Sequence, residues 1–482
     1  MTSTLPARLR GHDPRVLRLA WRGLLGLMLL VAVSHFVWVT AHHVEWLSAS
    51  GQDRFEVPDY VAFYSAGQLV WEGHAGRIYD LDAIAAKERE VSGSDFEDRL
   101  TLPYFNPPFF AVLVAPLSQL SIPAFAVVLF AVNLALLVGC GIALQRLIGL
   151  QKREHVIFLW LALLGSLPLW NVYLQNQLTL FVIAAWLGFV WMQLKGREGL
   201  SGGWLALGLV KPPLIALAVL YLVCRRQWRA VGVFAAICAA LTAVSIAAAG
   251  PGVLVDYPSF LIESTHWVEE NGVQPYYLFG LTGLLVDLLQ NQTPPGWLLW
   301  LLTAATLAAA LSTWRAAPRT PVAAGLQTYP KGARGRPFTL ALWERAIGAA
   351  EGVRATPHSS DNARPPATRE SILPLMAVAL VASVLVNQHL YLHDMLLVGL
   401  AIGFAAAHTM RTTGSIGPWG GIAAVMWLCH LPVLVFAYKH GFPLFTLSTL
   451  GLFAVLLRDA WRLNSTPLDR AAVLESEARA AA

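Results

Sequence analysis

Charge is what this sequence has least of. Asp, Glu, Lys and Arg make up 13% of its 482 residues, against roughly 25% in an average soluble domain. Nine stretches carry none of them: Gly23–Ala41, Ser121–Gln145, Val156–Leu194, Ala230–Val255, Gly296–Trp314, Ser371–His393, Met395–Met410, Thr412–Tyr438 and Gly441–Leu457. Each approaches or exceeds the ~18–20 apolar residues that cross a hydrocarbon core as a helix. In lipid the backbone must satisfy its own hydrogen bonds, so these runs are read as helices. The alternating pattern of an outer-membrane barrel is missing, and so is any short internal repeat.

Cysteine is scarce as well. Cys140, Cys224, Cys238 and Cys429 lie in or beside apolar runs with no CxxC spacing. That favours small buried apolar residues over a disulfide or metal site. P-loop, GxSxG and GxGxxG-plus-helix patterns are absent, so nucleotide binding and serine hydrolysis lack support. The first apolar run is too long for a signal-peptide h-region and has no small-x-small exit, so it reads as a first transmembrane helix.

The charges that exist are sorted along the chain. Residues 251–295 hold five acids and no Lys or Arg, and residues 42–106 hold twelve acids against five bases. Residues 1–22 hold five Arg against one Asp, and residues 315–370 hold nine bases against four acids. The positive-inside rule makes the last two segments cytoplasmic and the first two external. The formal charge of +5 is therefore a topological signal and not a nucleic-acid one. The expected organisation is a cytoplasmic tail over 1–19, a membrane core over 20–314, and external loops over 42–106 and 251–295. A Pro-rich, disordered cytoplasmic loop follows over 315–370, then helices over 371–460 and a cytoplasmic tail over 461–482.

The middle of the chain poses a parity problem. If 107–119 and 203–224 both cross, the basic turns around Arg146–Arg153 and Lys195–Arg197 fall outside. Reading 107–119 as re-entrant from outside and 203–224 as a re-entrant hairpin from inside returns them to the cytoplasm. The tandem Pro212–Pro213 favours the hairpin, since such a pair does not sit in an unbroken helix. In the first external loop, Gly73 and Gly76 divide an amphipathic stretch into two helices expected to lie on the membrane surface.

Four polar groups interrupt the apolar sequence. Asp59 lies beside Tyr60 and Tyr64 and follows Pro58, a setting for a helix N-cap. It also fits a general base, because a carboxylate on partly dry aromatic surface holds a proton more strongly. Gln175, Asn176 and Gln177 suit either substrate donors or polar glue between helices. Lys211 in GLVKPP is either a snorkelling ammonium or a partner for phosphate. In NQHLYLHD, His389 and His393 share a helix face. As a metal pair they lack an evident third ligand, and hydrogen bonding to an anionic substrate or to Asp394 fits them better.

Taken in order, PDYVAFYSAGQLVWEGHAGRIYD, LPYFNPPFFAVLVAPLSQLSIPAF, QNQLTL, GLVKPPLIAL and LYLHDMLLV resemble the family-87 glycosyltransferases, bacterial multi-pass enzymes of the GT-C fold. The resemblance implies an all-α polytopic protein of about 10–13 transmembrane or re-entrant helices in the inner membrane, its active site facing the periplasm. It implies transfer of mannose or a similar sugar from a polyprenyl-phosphate donor to a lipid or glycan acceptor, with inversion. Asp59 would be the base, and His389, His393, Lys211, Gln177, Asn176, Tyr64 and Asp394 would bind donor phosphate or substrate. No metal or other cofactor is called for. The family's Y-P-P is here Asn106-Pro107-Pro108, and its second Asp after His393-Asp394 is missing. The competing reading is a transporter or flippase of lipid-linked substrates, which should show inverted repeats.

Overall fold

The computed structural model describes residues 14–48, 58–92, 102–263, 280–289, 294–316, 372–387, 391–428 and 446–461. They belong to one unit that takes in 1–319 and 370–482. All regular structure among them is helical. The expected loop over 315–370 lies almost wholly outside them, as do His389 and Cys429.

The path follows from the charge-free runs. Helix α1 (Pro14–Ser48) is followed by three short helices, α2 (Tyr60–Trp71), α3 (Leu81–Ser92) and α4 (Pro108–Val114). A long α5 (Ile122–Ile148) ends at Gly149, whose φ of 80° only glycine adopts easily. Then come α6 (Arg153–Leu164), α7 (Leu167–Gln175), α8 (Thr179–Leu194), α9 (Glu198–Ala206), α10 (Ala216–Cys224), α11 (Trp228–Ala249) and α12 (Val253–Glu263). Helices Leu281–Leu288, Gly296–Ala316, Ile372–Val386, Leu396–Thr413, Trp419–Leu428 and 446–461 complete the described chain.

Among the described residues five helices suffice by length and composition to cross a membrane, or six if the pair α6 and α7 counts as one span. That pair departs from the single crossing expected over 156–173: it bends by 48° at Gly165–Ser166. The Ile372–Val386 helix is buried on every side, as its all-round apolar sequence requires of a central helix. Cys140 is buried as expected, but Cys224 is exposed; both are free thiols, as is Cys238.

The bundle has two chemically different ends. Helices α5, α8 and Leu396–Thr413 run from one end to the other. At the far end Arg411 donates to the Leu147 carbonyl (3.4 Å), and Gln227 donates to Gln193 (3.2 Å). That contact joins the last turn of α8 to the turn after α10. Arg146, Lys152, Arg153, Lys195, Arg197, Arg225, Arg226 and Arg229 therefore gather there. Helices α9 and α10 form a hairpin that starts and finishes at this basic end and turns back at Lys211–Pro213. It fits between its neighbours because glycines lie at the contacts, one on the hairpin and one on α8. A Cβ on Gly202 would collide with the Ala230 carbonyl, and one on Gly188 with the Trp204 ring.

The opposite end holds α2, α3 and α4. Helix α2 is not the half-exposed surface helix its sequence suggested. Tyr60 to Gly67 are all buried, because α3 and α4 cover it. Helix α3 is amphipathic and seats Glu88 inward, where its carboxylate accepts from the Leu102 N–H (3.1 Å). Burial pushes Glu88 up to about 8, against the pull of that hydrogen bond, and the charge of Asp59 adds to the rise. The unfolded chain ionises this group near 4.5. The stability contributed by the held proton is therefore complete below about 4.5 and lost as pH climbs through about 8. Glu88→Gln is expected to flatten the fall in apparent melting temperature across that interval. A slope as steep as that of the parent protein in detergent would remove Glu88 as its source.

Candidate functional site

Three chain breaks meet at the opposite end, called acidic for its Asp59, Glu72, Asp80, Asp82, Glu88 and Glu90: the start of α2, the turn between α7 and α8, and the tip of the α9–α10 hairpin. Helix α7 stops because Asn176 takes a left-handed conformation, φ 49°. The next N–H, of Gln177, donates back to the Val172 carbonyl (2.9 Å). This turn points three amides in different directions. Gln175 accepts from the Asp59 N–H (2.9 Å). Asn176 donates to the Ala126 carbonyl (3.2 Å) and so ties α7 to α5. Gln177 donates to Asp59 Oδ2.

Asp59 occupies the N-cap position of α2 but makes no side-chain cap hydrogen bond. The expected capping role is thus corrected. With Asp59 in the helical region, φ −56° and ψ −24°, its backbone carbonyl takes the Ala62 N–H (3.1 Å) and its carboxylate reaches Gln177 instead. Among the described residues, Oδ1 takes no hydrogen-bond partner. Burial raises the proton affinity of this carboxyl; the Gln177 amide and the Lys211 charge oppose the rise, and the Asp394 charge adds to it.

Lys211 stands at the hairpin tip. Its ammonium pairs with Asp394 Oδ1 (2.8 Å) and lies 3.4 Å from Thr179 Oγ1. The Thr179 hydroxyl also donates to Asp394 Oδ1 (2.7 Å). Asp394 and His393 sit on the short turn Leu392–Met395 that opens the Leu396–Thr413 helix. His393 Nδ1 lies 3.0 Å from Asn171 Oδ1, its Nε2 is 3.5 Å from Asp394 Oδ2, and its ring stacks on Tyr391. The hairpin enters from the basic end and carries Lys211 to the opposite end, where it meets Asp394.

The structure therefore brings together Asp59, Gln177, Lys211, His393 and Asp394. It sends Asn176 to the α5 backbone, as interhelical glue. It also sends Tyr64 away: its hydroxyl donates to the Leu120 carbonyl (2.8 Å) and its ring stands edge-on to Phe125. Thr179 and Asn171 were not anticipated. Asn171 precedes Gln175 by one helical turn, and that i,i+4 polar pair in an apolar helix was the available signal. Among the described residues no three His, Cys, Asp or Glu side chains converge as a metal set. Beside the hairpin tip lies an apolar cavity of about 240 Å³, lined by Pro107, Pro108, Leu209 and Pro212 and by faces of α11 and α12.

The hydrogen bond from Gln177 favours the ionised carboxylate, so Gln177→Leu raises the proton affinity of Asp59. A reaction that needs ionised Asp59 should then show its acidic limb displaced to higher pH, with activity recovering as pH rises. An unmoved limb in the pH–rate profile would mean that Asp59 is not the group titrating.

Residues 104–329 match glycosyltransferase family 87. The family-87 match takes in Asn106, Gln177, Thr179 and Lys211; Asp59 and Asp394 lie outside it. A curated relative from Mycolicibacterium smegmatis is named polyprenol-phosphate-mannose-dependent alpha-(1-2)-phosphatidylinositol pentamannoside mannosyltransferase. It is 34% identical over 145 residues, which is 30% of this chain and 35% of the relative. The chain thus aligns with about a third of that protein's length. No solved structure matches the chain.

Proposed function

We propose that the protein is an integral-membrane, inverting glycosyltransferase of the family-87 type. It moves a sugar, mannose or similar, from a polyprenyl-phosphate donor to a lipid or glycan acceptor. The donor class follows that of the relative from Mycolicibacterium smegmatis, named as polyprenol-phosphate-mannose-dependent. The observation that carries the reading is the meeting of a partly buried carboxylate, Asp59, with a cation, Lys211, beside an apolar cavity at one end of a membrane bundle. Asp59 accepts the proton of an acceptor hydroxyl as its oxygen attacks the anomeric carbon. The bond from that carbon to the phosphate oxygen breaks, and its electron pair leaves with the polyprenyl phosphate. Lys211 stabilises the charge that develops there, a large term in a dry site, and Asp394 and Thr179 hold it in place. His393 lies beside them as a further donor to phosphate. The cavity suits the apolar chain of the donor.

The positive-inside rule supports a cytoplasmic basic end and, with it, a site at the external face of a bacterial inner membrane. The test is incubation of the purified protein in nanodiscs with radiolabelled polyprenyl-phosphate mannose and a membrane acceptor extract, together with mass spectrometry of lipids from a deletion strain. Release of polyprenyl phosphate and a missing glycolipid or glycan species are expected. No release from any polyprenyl-phosphate hexose or pentose would leave the transporter reading in its place.

A further inference from the structure

The segment Phe105–Pro107 takes no part in the chemistry above, yet three tyrosine hydroxyls hold its consecutive carbonyls. Tyr257 donates to Phe105 (3.4 Å), Tyr79 to Asn106 (2.8 Å) and Tyr104 to Pro107 (3.2 Å). The tyrosine rings pack on one another, with Tyr79 centred 6.0 Å from Tyr104 and 5.3 Å from Tyr257. These rings come from separate parts of the acidic end: the turn after α2, the segment before α4, and α12. Asn106 is buried, and its side-chain amide donates across 104 residues of sequence to the Val210 carbonyl (2.9 Å).

Val210 is the residue before Lys211, and its carbonyl needs a partner from outside the hairpin. In a continuing helix it would accept from the N–H of residue 214. Pro212 and Pro213 break the helix, and the Leu214 N–H donates to the Lys211 carbonyl instead (3.1 Å). An unpaired carbonyl deep in an apolar bundle is costly, so the Asn106 amide takes the place of the missing helical donor. The same interaction fixes where the chain turns, and therefore where the Lys211 side chain begins.

We propose that Asn106 is a positioning residue for the donor-phosphate site. Its amide locks the Val210 carbonyl, the tyrosine cluster locks Asn106, and Lys211 is thereby presented to phosphate in one register. The inference rests on Lys211 being the phosphate partner, and its test separates the two ideas. The full-length protein in detergent is titrated with undecaprenyl phosphate and followed by tryptophan fluorescence. Asn106→Ala and Asn106→Asp, which both lose the N–H donor, are each expected to weaken binding ~10-fold.

The same substitutions are then made with Lys211→Met and Asp394→Asn together, which remove both charges of the pair. In that background the Asn106 effect should vanish, a result that a general loss of stability would not give. Additive losses would overturn the inference alone, as would full affinity in Asn106→Ala. Unchanged affinity in the charge-free background would overturn the assignment of Lys211 and this inference with it. If Asn106→Ala does not fold, Tyr79→Phe takes its place. It removes one hydroxyl from the clamp, and a roughly 3-fold loss that depends on Lys211 is expected.

Discussion

Asp59→Asn is expected to lower sugar transfer by roughly 10²–10⁴-fold, the contribution of a positioned general base, while the protein still inserts and melts at an unchanged temperature. The two halves of the expectation have separate grounds. Asparagine cannot take the acceptor's proton, so the chemical step loses its base. The fold does not rely on the charge: Asp59 caps nothing with its side chain, and among the described residues its carboxylate takes its hydrogen bond from the amide of Gln177. An asparagine at that position keeps a carbonyl for the same amide. The Gln175 contact is made by the Asp59 backbone N–H and survives as well. Steady-state transfer with purified variant and donor decides it; a rate within a few-fold of the parent protein sinks the base.

Lys211→Met is the second large effect, and it acts on stability and activity together. The Lys211 and Asp394 side chains are 16% and 3% exposed, so removing one partner strands a charge inside the bundle. Breaking a buried pair this way costs roughly 3–5 kcal/mol, which should appear as poor yield and a depressed melting temperature. Adding Asp394→Asn removes the stranded charge. The side-chain carbonyl that this change leaves can still accept from Thr179, so the double variant should regain most of the lost stability. It should not regain transfer. Without a cation at the hairpin tip the leaving phosphate is unshielded, and a deficit of roughly 10²–10³-fold is expected to remain. A double variant restored in both respects would make Lys211 purely architectural.

Much of the scaffold was legible because apolar helices in lipid leave a local signal: each charge-free run maps, where it is described, to one helix or to several in succession. The bend at Gly165–Ser166 was not, because it depends on how α6 and α7 pack rather than on hydropathy. The burial of α2 escaped notice for a similar reason. Its own sequence has one face no more polar than a surface helix needs, and only the placement of α3 and α4 decides that both faces are covered. At the site, the residue types were visible and the partnerships were not. Asp59 and Gln177 are 118 positions apart, and Lys211 and Asp394 are 183 apart. The capping assignment for Asp59 was sound local reasoning. It failed because the Gln177 amide, arriving from the end of α7, engages the carboxylate that local rules would have turned to the helix. Tyr64 was grouped with Asp59 by nearness in sequence, but it lies more than one helical turn along α2 and so leans on Leu120 and Phe125.

The α9–α10 hairpin has a consequence for how the chain is threaded into its bilayer. With the basic end at one membrane surface, as proposed, the hairpin leaves and rejoins that surface and adds nothing to the net count of crossings. An insertion apparatus that tallies signs and spans passes from α8 to α11 as though the hairpin were a long loop. Lengthening, shortening or losing it would leave every later helix in its original orientation. A deep-seated cation has thus been installed as a topologically silent excursion, open to evolutionary change without inverting the rest of the molecule.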